Sequence, residues 1–377
     1  MVNHPQAQPS GSYHPAFEAV ARTFEKIMAP PDQIGAALCV YLEGEEVVNL
    51  HAGWTDEART KPWQENTVVN IWSATKGVGA LCFAMAADRG LFDYEHPVAR
   101  YWPEFATGGK GNVTIGQLLS HQAGLSALGN GTTLSDLCDL ERAAALLAGA
   151  EPLWAPGSAP GYHLVTFGPL LDALFQRIEG RSLSIFIEEE IARPFEVDIQ
   201  IGARTVARSR ISPVFVAESF NRAGGDVLSE IQHRTFTEPP LDPLIANTEE
   251  WLTAELVSAN GVSNASALAK LYDVMLGGKL LSMSALGRAI DCRIDGNDLV
   301  LALPFRWGAG FALNSNDTYG PNPRAFGHNG WGGSFAIADP DANLAIAFTT
   351  NTMAYRQRED PRAESIVKAA FASLGSR

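Results

Sequence analysis

Strand-like runs stand at both ends of this chain and are scarce between, and that distribution limits the folds open to it. Ile34 to Leu42 and Val47 to Gly53 are rich in apolar and β-branched residues and meet at Glu43-Gly44-Glu45, the pattern of a hairpin. Val68 to Trp72 is a third short apolar run. Near the other end, Gly308 to Leu313, Ala325 to Ala338 and Leu344 to Thr350 are β-type runs separated by Pro, Asp and Asn. The middle reads differently. Ser135 to Ala148, Thr166 to Ile178, Ser182 to Ala192 and Ser266 to Leu276 have helical periodicity, the third stopping before Pro194. Thr114-Ile115-Gly116-Gln117 has the form of a capping box. Ala16 to Ala29 and Arg362 to Leu374 read as terminal helices, residues 1 to 14 as a loose tail, and residues 205 to 260 as irregular. The pattern predicts an α/β (α+β) chain. Residues 1–95 and 300–377 form one discontinuous α/β domain, and 96–299 form a mainly helical one, with a cleft between them for a site.

Composition removes several classes of function. Lys and Arg number 28 against 42 Asp and Glu, a net charge of −14 with no basic run, which disfavours nucleic acid and anionic membranes as partners. No run is long and apolar enough to span a bilayer. The four cysteines, Cys39, Cys82, Cys138 and Cys292, show no C-x-x-C spacing and read as reduced thiols. No H-E-x-x-H or close His pair suggests a metal, and no P-loop, G-x-G-x-x-G or G-x-S-x-G occurs. No cofactor is expected. Met1 to Tyr13 is polar and does not read as a secretory signal, so the expected location is cytoplasmic.

Chemistry enters at Ser73-Ala74-Thr75-Lys76. The strand-like run before Ser73 and the helical pattern ending near Gly90 put this serine where a strand turns into a helix. Its Oγ then lies by the positive end of the helix dipole, and Lys76 follows on the same face. A serine beside an amine held neutral is a nucleophile with its own base, the requirement for covalent acyl transfer. The same spacing recurs at Ser365-Ile366-Val367-Lys368, but there the serine follows Glu364 inside a helix and reads as a solvated face.

Such a nucleophile needs a second proton-handling group and an oxyanion hole. The Pro- and Gly-dense loop from Trp154 to His163 delivers Tyr162, whose phenolate, stabilised by Lys76, could take the Ser73 proton; by itself it reads first as a tyrosine packing a turn. Gly327-His328-Asn329-Gly330-Trp331-Gly332-Gly333-Ser334 opens a strand where glycines let the backbone approach a ligand, or simply make a Gly-rich turn.

Together these three elements resemble the serine β-lactamase and penicillin-binding-protein superfamily on its class C side. Among its members, the closest likeness is to the β-lactamase-like esterases known as family VIII carboxylesterases. Ser73-Ala74-Thr75-Lys76 is similar to the S-x-x-K element, Tyr162 to the tyrosine of Y-x-N, and His328-Asn329-Gly330 stands where lactamases carry K-T-G. Gly90-Leu91-Phe92-Asp93, Pro97 to Pro103 and Leu118 to Leu125 also resemble the family. The resemblance implies the β-lactamase/DD-peptidase-like fold, an antiparallel sheet flanked by helices plus a helical insertion. It implies an acyl-enzyme on Ser73, with Lys76 as base working with Tyr162, and an oxyanion hole from the backbone N–H groups of Ser73 and Trp331.

The departures point to substrate. Leu164 replaces the asparagine that holds a lactam amide, and His328 replaces the K-T-G lysine that meets a lactam carboxylate. With Asn329 and Gly330, these are the expected substrate-binding positions. The reading is a serine carboxylesterase for small neutral acyl esters. The alternatives are a β-lactam or amide hydrolase or a transacylase on the same fold, or a non-catalytic ligand-binding relative. The sequence leaves the oligomeric state open.

Overall fold

The computed structural model describes residues 8–218, 220, 228–354 and 360–375. Its centre is a nine-stranded, antiparallel sheet. In spatial order the strands are Ser10–Tyr13, Glu45–Gly53, Gly35–Leu42, Leu344–Thr350, Phe335–Asp339, Phe326–Asn329, Ala312–Leu313, Pro304–Trp307 and Ile294–Asn297. The strand from residue 344 lies against the strand from residue 35, Ile346 opposite Val40, so the two ends of the chain meet in the middle of one sheet.

Side-chain size alternates along the central strands and decides what packs on each face. Leu38, Val40, Phe335, Ile337, Ile346 and Phe348 point to one side, where they join Phe17, Val20 and Phe24 and Ile366, Val367 and Ala370 of the two terminal helices. Ala37, Cys39, Ala336, Ala338, Ala345 and Ala347 point to the other, sharing a core with helices Thr75–Asp88 and Ala265–Leu276. Small residues let helix Ala265–Leu276 lie against the sheet. The first of these helices is buried along its whole length except at its last residue, Asp88.

A second, four-stranded sheet holds Val68–Asn70 between Gly261–Ser263 and Ile211–Ser212, with Ile199–Ile201 outermost. Among the described residues no helix is long and apolar enough to cross a membrane.

Several expectations need correction. Ser10–Tyr13, expected as loose tail, is an edge strand paired with Tyr13 opposite Val48; residues 1–7 lie outside the described ones. The run Gly308 to Leu313 is a turn followed by the two-residue strand Ala312–Leu313, because Gly310 takes a φ of +88°. Ala325 to Ala338 is two strands about a turn at 330–334. The helix expected to end before Pro194 runs to Phe195, since Pro194 begins a new turn where its missing N–H costs no bond. The irregular stretch holds helices Glu230–Thr237 and Glu249–Thr253 and two short strands; residues 219 and 221–227 lie outside the described ones. The capping box at Thr114 and Gln117 is formed as expected.

Candidate active site

The backbone leaves strand Val68–Asn70, makes one tight turn over Trp72–Ala74 and enters helix Thr75–Asp88. Trp72, just before Ser73, has a φ of +51°, a left-handed conformation that a bulky residue keeps only when its surroundings impose it. They do so here. Ile71 N–H donates to Gly261 O (2.9 Å), Gly261 N–H to Thr75 Oγ1 (2.9 Å), and Thr75 Oγ1 to Trp72 O (2.5 Å). The Trp72 ring is wedged against Trp251 and Trp331, with centroids 5.6 and 5.0 Å away.

This turn sets Ser73 beside Lys76, with Nζ 3.1 Å from Oγ. Lys76 is wholly buried, and its Nζ also donates to the backbone oxygens of Leu164 (2.7 Å) and Ser258 (2.6 Å). Among the described residues it makes no ion pair. Burial therefore holds its pKa well below that of a free lysine. A neutral amine has two N–H bonds and one lone pair. In that form the two carbonyls would take the hydrogens and the lone pair would face the Ser73 hydroxyl.

Tyr162 is also wholly buried, its ring centroid 4.8 Å from Lys76 Nζ. Burial raises its hydroxyl far above an ordinary phenol, and among the described residues that hydroxyl has no hydrogen-bond partner. The upward direction favours the protonated phenol, while burial disfavours the charged form of Lys76 and suits it to receive the proton. The Tyr162 ring lies parallel to Trp307, 5.5 Å away and 4° from coplanar.

His328 approaches on strand Phe326–Asn329. Its Nδ1 lies 2.9 Å from Asn329 O, which makes Nδ1 the protonated nitrogen and Nε2 an acceptor; Nε2 is buried with no hydrogen-bond partner. Burial lowers the imidazole pKa to about 3, so this position is uncharged. Asn329 Oδ1 accepts from the Tyr319 hydroxyl at 3.1 Å. Two glycines permit this approach. A Cβ on Gly330 would stand 2.3 Å from Ile71 O, and one on Gly77 would stand 2.1 Å from the Tyr272 hydroxyl. Leu164 is partly buried and meets the site through its backbone oxygen, on Lys76. Beside His328 and Asn329 opens a cavity of about 260 Å³, walled by Leu301, Leu303, Phe305, Leu313 and Tyr319.

The structure thus brings Ser73, Lys76 and Tyr162 together, sets His328 against Tyr162 (5.9 Å between centroids), and packs Trp331 on Trp72. Sequence reasoning missed several neighbours, Ser258, Trp307 and Tyr319 among them, and two more that touch Tyr162. His121 packs edge-on to Tyr162 and Trp307, at 5.0 and 4.4 Å between centroids. Asp298 accepts a hydrogen bond from the Tyr162 backbone. His121 lies in the quoted stretch Leu118 to Leu125, but nothing local marks Asp298. His163 bonds through both ring nitrogens, accepting from Leu125 N–H (3.0 Å) and reaching Gly161 O (2.7 Å), so it braces the loop.

Fold and site together define a serine hydrolase. The family model described as Beta-lactamase matches residues 20–371, and the chain belongs to that family, with its antiparallel sheet and flanking helices. It is 32% identical over 360 residues to the esterase/beta-lactamase LipL of Mycobacterium tuberculosis, covering 91% of this chain and 83% of LipL. Its fold is similar to the crystal structure of a family VIII carboxylesterase, at a TM-score of 0.92 and 35% identity over 97% of this chain and 100% of that one. A penicillin-binding-protein homologue from Caulobacter crescentus gives 0.90 and 36%, with the same coverage. The chain is a hydrolase of the carboxylesterase-like kind, on a fold that also carries lactamases and amidases.

Proposed function

We propose that this chain is a serine carboxylesterase for small neutral acyl esters, working through an acyl-enzyme on Ser73. One observation carries the reading: a wholly buried Lys76 whose Nζ lies within hydrogen-bond distance of Ser73 Oγ and of the Leu164 and Ser258 backbone oxygens. Lys76 takes the Ser73 proton as Oγ bonds to the ester carbonyl carbon. The negative charge that builds on the carbonyl oxygen is held by the N–H groups of Ser73 and Trp331. As the intermediate collapses, the C–O bond to the alcohol breaks. Tyr162 gives its proton to the departing oxygen and regains one from the Lys76 ammonium. Water then bonds to the acyl carbon as its proton passes to the same pair; the C–Oγ bond breaks, Ser73 Oγ takes that proton back and the acid leaves.

The choice of ester over lactam rests on charge. Neutral His328 offers a lone pair and no cation, so a substrate carboxylate finds no counter-ion at that position. The largely apolar cavity lined by His328 and Asn329 suits an uncharged substituent, with Gly330 and Leu164 the other expected substrate-binding positions. In this reading the sheet-bearing domain, residues 1–95 and 300–377, and the mainly helical one, 96–299, flank the site, with strand Ile294–Asn297 and helix Ala265–Leu276 joining the sheet from the second segment. Four free thiols support a reducing, cytoplasmic setting, and the negative net charge supports a small-molecule partner over nucleic acid or membrane. The test is a series of p-nitrophenyl esters of increasing acyl length run beside nitrocefin. The short esters should be cleaved with much the higher kcat/KM. Equal values would place the chain with the lactamases, and failure of Ser73 to take a fluorophosphonate label would leave only the ligand-binding alternative.

A further inference from the structure

Tyr162 can serve the reaction only if its hydroxyl is held at the reacting centre, and the loop that carries it is built of Pro and Gly with few side chains to anchor it. The anchor comes from a different part of the chain. Asp298 follows the edge strand Ile294–Asn297 and is 1% exposed. Its Oδ1 accepts three backbone N–H groups: Tyr162 at 3.0 Å, Val300 at 2.9 Å and Leu301 at 2.8 Å. Its Oδ2 accepts the indole N–H of Trp307 at 3.3 Å. Leu299 N–H adds a bond to Pro160 O at 2.9 Å, so the Asp298 turn and the Tyr162 loop are joined along their edges.

The bonds to Val300 and Leu301 are those of an ordinary aspartate turn. The other two leave the turn and converge on one side chain. One holds the Tyr162 peptide, and the other orients the Trp307 ring that lies parallel to the Tyr162 ring. Among the described residues Asp298 makes no ion pair, so these four donors are what offset the burial of its carboxylate.

We propose that Asp298 is a positioning residue for Tyr162, setting the phenol at the reacting centre through the Tyr162 peptide and the Trp307 indole together. The proposal rests on the role given to Tyr162 above, and the experiment separates the two. The variants are Y162F, D298N, D298N/Y162F and W307F in the full chain, assayed for kcat and KM on p-nitrophenyl butyrate with Tm measured alongside. In D298N an NH₂ group replaces Oδ2 and faces the Trp307 indole N–H, donor against donor, while the overall shape is kept. A misplaced catalytic group costs on the order of 10²-fold. D298N should therefore lose about 10- to 100-fold in kcat with KM within about twofold, and should lose nothing further in the Y162F background. W307F keeps a ring but drops the N–H, so it should show the same split at about 3- to 10-fold and covers the case where D298N does not fold. A D298N loss that multiplies in full with that of Y162F would overturn the positioning role while leaving Tyr162 in place. So would a W307F or D298N effect confined to KM and Tm. Unchanged kcat in Y162F would overturn the role of Tyr162 and this proposal with it.

Discussion

Ser73 and Lys76 share their spacing with Ser365 and Lys368, and both pairs lie at or within a helix. Around the first pair nearly every contact comes from elsewhere in the chain: Lys76 meets the backbone at Leu164 and Ser258 and the rings of Tyr162 and Phe167. Around the second, every bond stays inside the helix. Ser365 Oγ donates to Pro361 O at 2.7 Å, and Lys368 pairs with Glu364 one turn back. The Lys76 side chain has no exposure, while that of Lys368 is 75% exposed. Water keeps an exposed amine charged, and a charged amine has no lone pair to take a proton. The difference teaches that the tetrapeptide supplies spacing alone, and that burial turns the spacing into a base.

The largest test of this contrast is removal of each serine. Ser73→Ala should lower kcat on p-nitrophenyl butyrate by about 10⁴-fold or more, while Ser365→Ala stays within about twofold. Near-normal turnover by Ser73→Ala would end the contrast and the mechanism together. The next concerns the lysine. Lys76→Ala should cost about 10³-fold. Combined with Tyr162→Phe, it should lose little more than the worse single variant, because both serve one proton path. Fully multiplied losses would mean two independent roles.

A pH experiment sharpens the comparison further. The folded pKa of Lys76 lies below its unfolded value, so between the two the unfolded chain binds the extra proton and stability rises with pH. The Tm of the native protein relative to Lys76→Met should therefore climb from pH 7 toward pH 10. A flat difference would mean that Lys76 is charged in the fold. Activity should fall on the acid side as the amine gains its proton, with a midpoint below the range of a free lysine. The smallest effect belongs to the surface pair. Lys368→Ala should cost about 0.5 kcal/mol or less in urea unfolding, and the difference should vanish in 1 M salt.

Much of the sheet was legible, and the reason is visible in Leu344–Thr350, whose alternation of large and small apolar residues is the signature of a strand buried on both faces. The runs that misled were those interrupted by glycine. Gly308 to Leu313 is apolar throughout, and Ala325 to Ala338 is apolar but for His328, Asn329 and Ser334, a composition that does not say where a chain turns. Ser10–Tyr13 was not legible because an edge strand with all four residues exposed has no apolar face to betray it. In the site, Ser73, Lys76 and Tyr162 stood out because each sits in a local pattern with a chemical purpose. Asp298 did not, since its function depends on a peptide 136 residues away.

By itself the sequence determined which groups are available: a serine and an amine one helical turn apart, a tyrosine on a Pro- and Gly-rich loop, and a histidine where a lysine would carry charge. Spacing on one helix is local geometry and needs no partner to define it. Only the tertiary structure decided the protonation of those groups. It buried Lys76 between two carbonyls, buried Tyr162 among rings so that its phenol is pushed upward, and spent one His328 nitrogen on Asn329 O so that the other is left as an acceptor. A pKa follows from the water removed and the dipoles brought near, and those come from residues far apart in the chain.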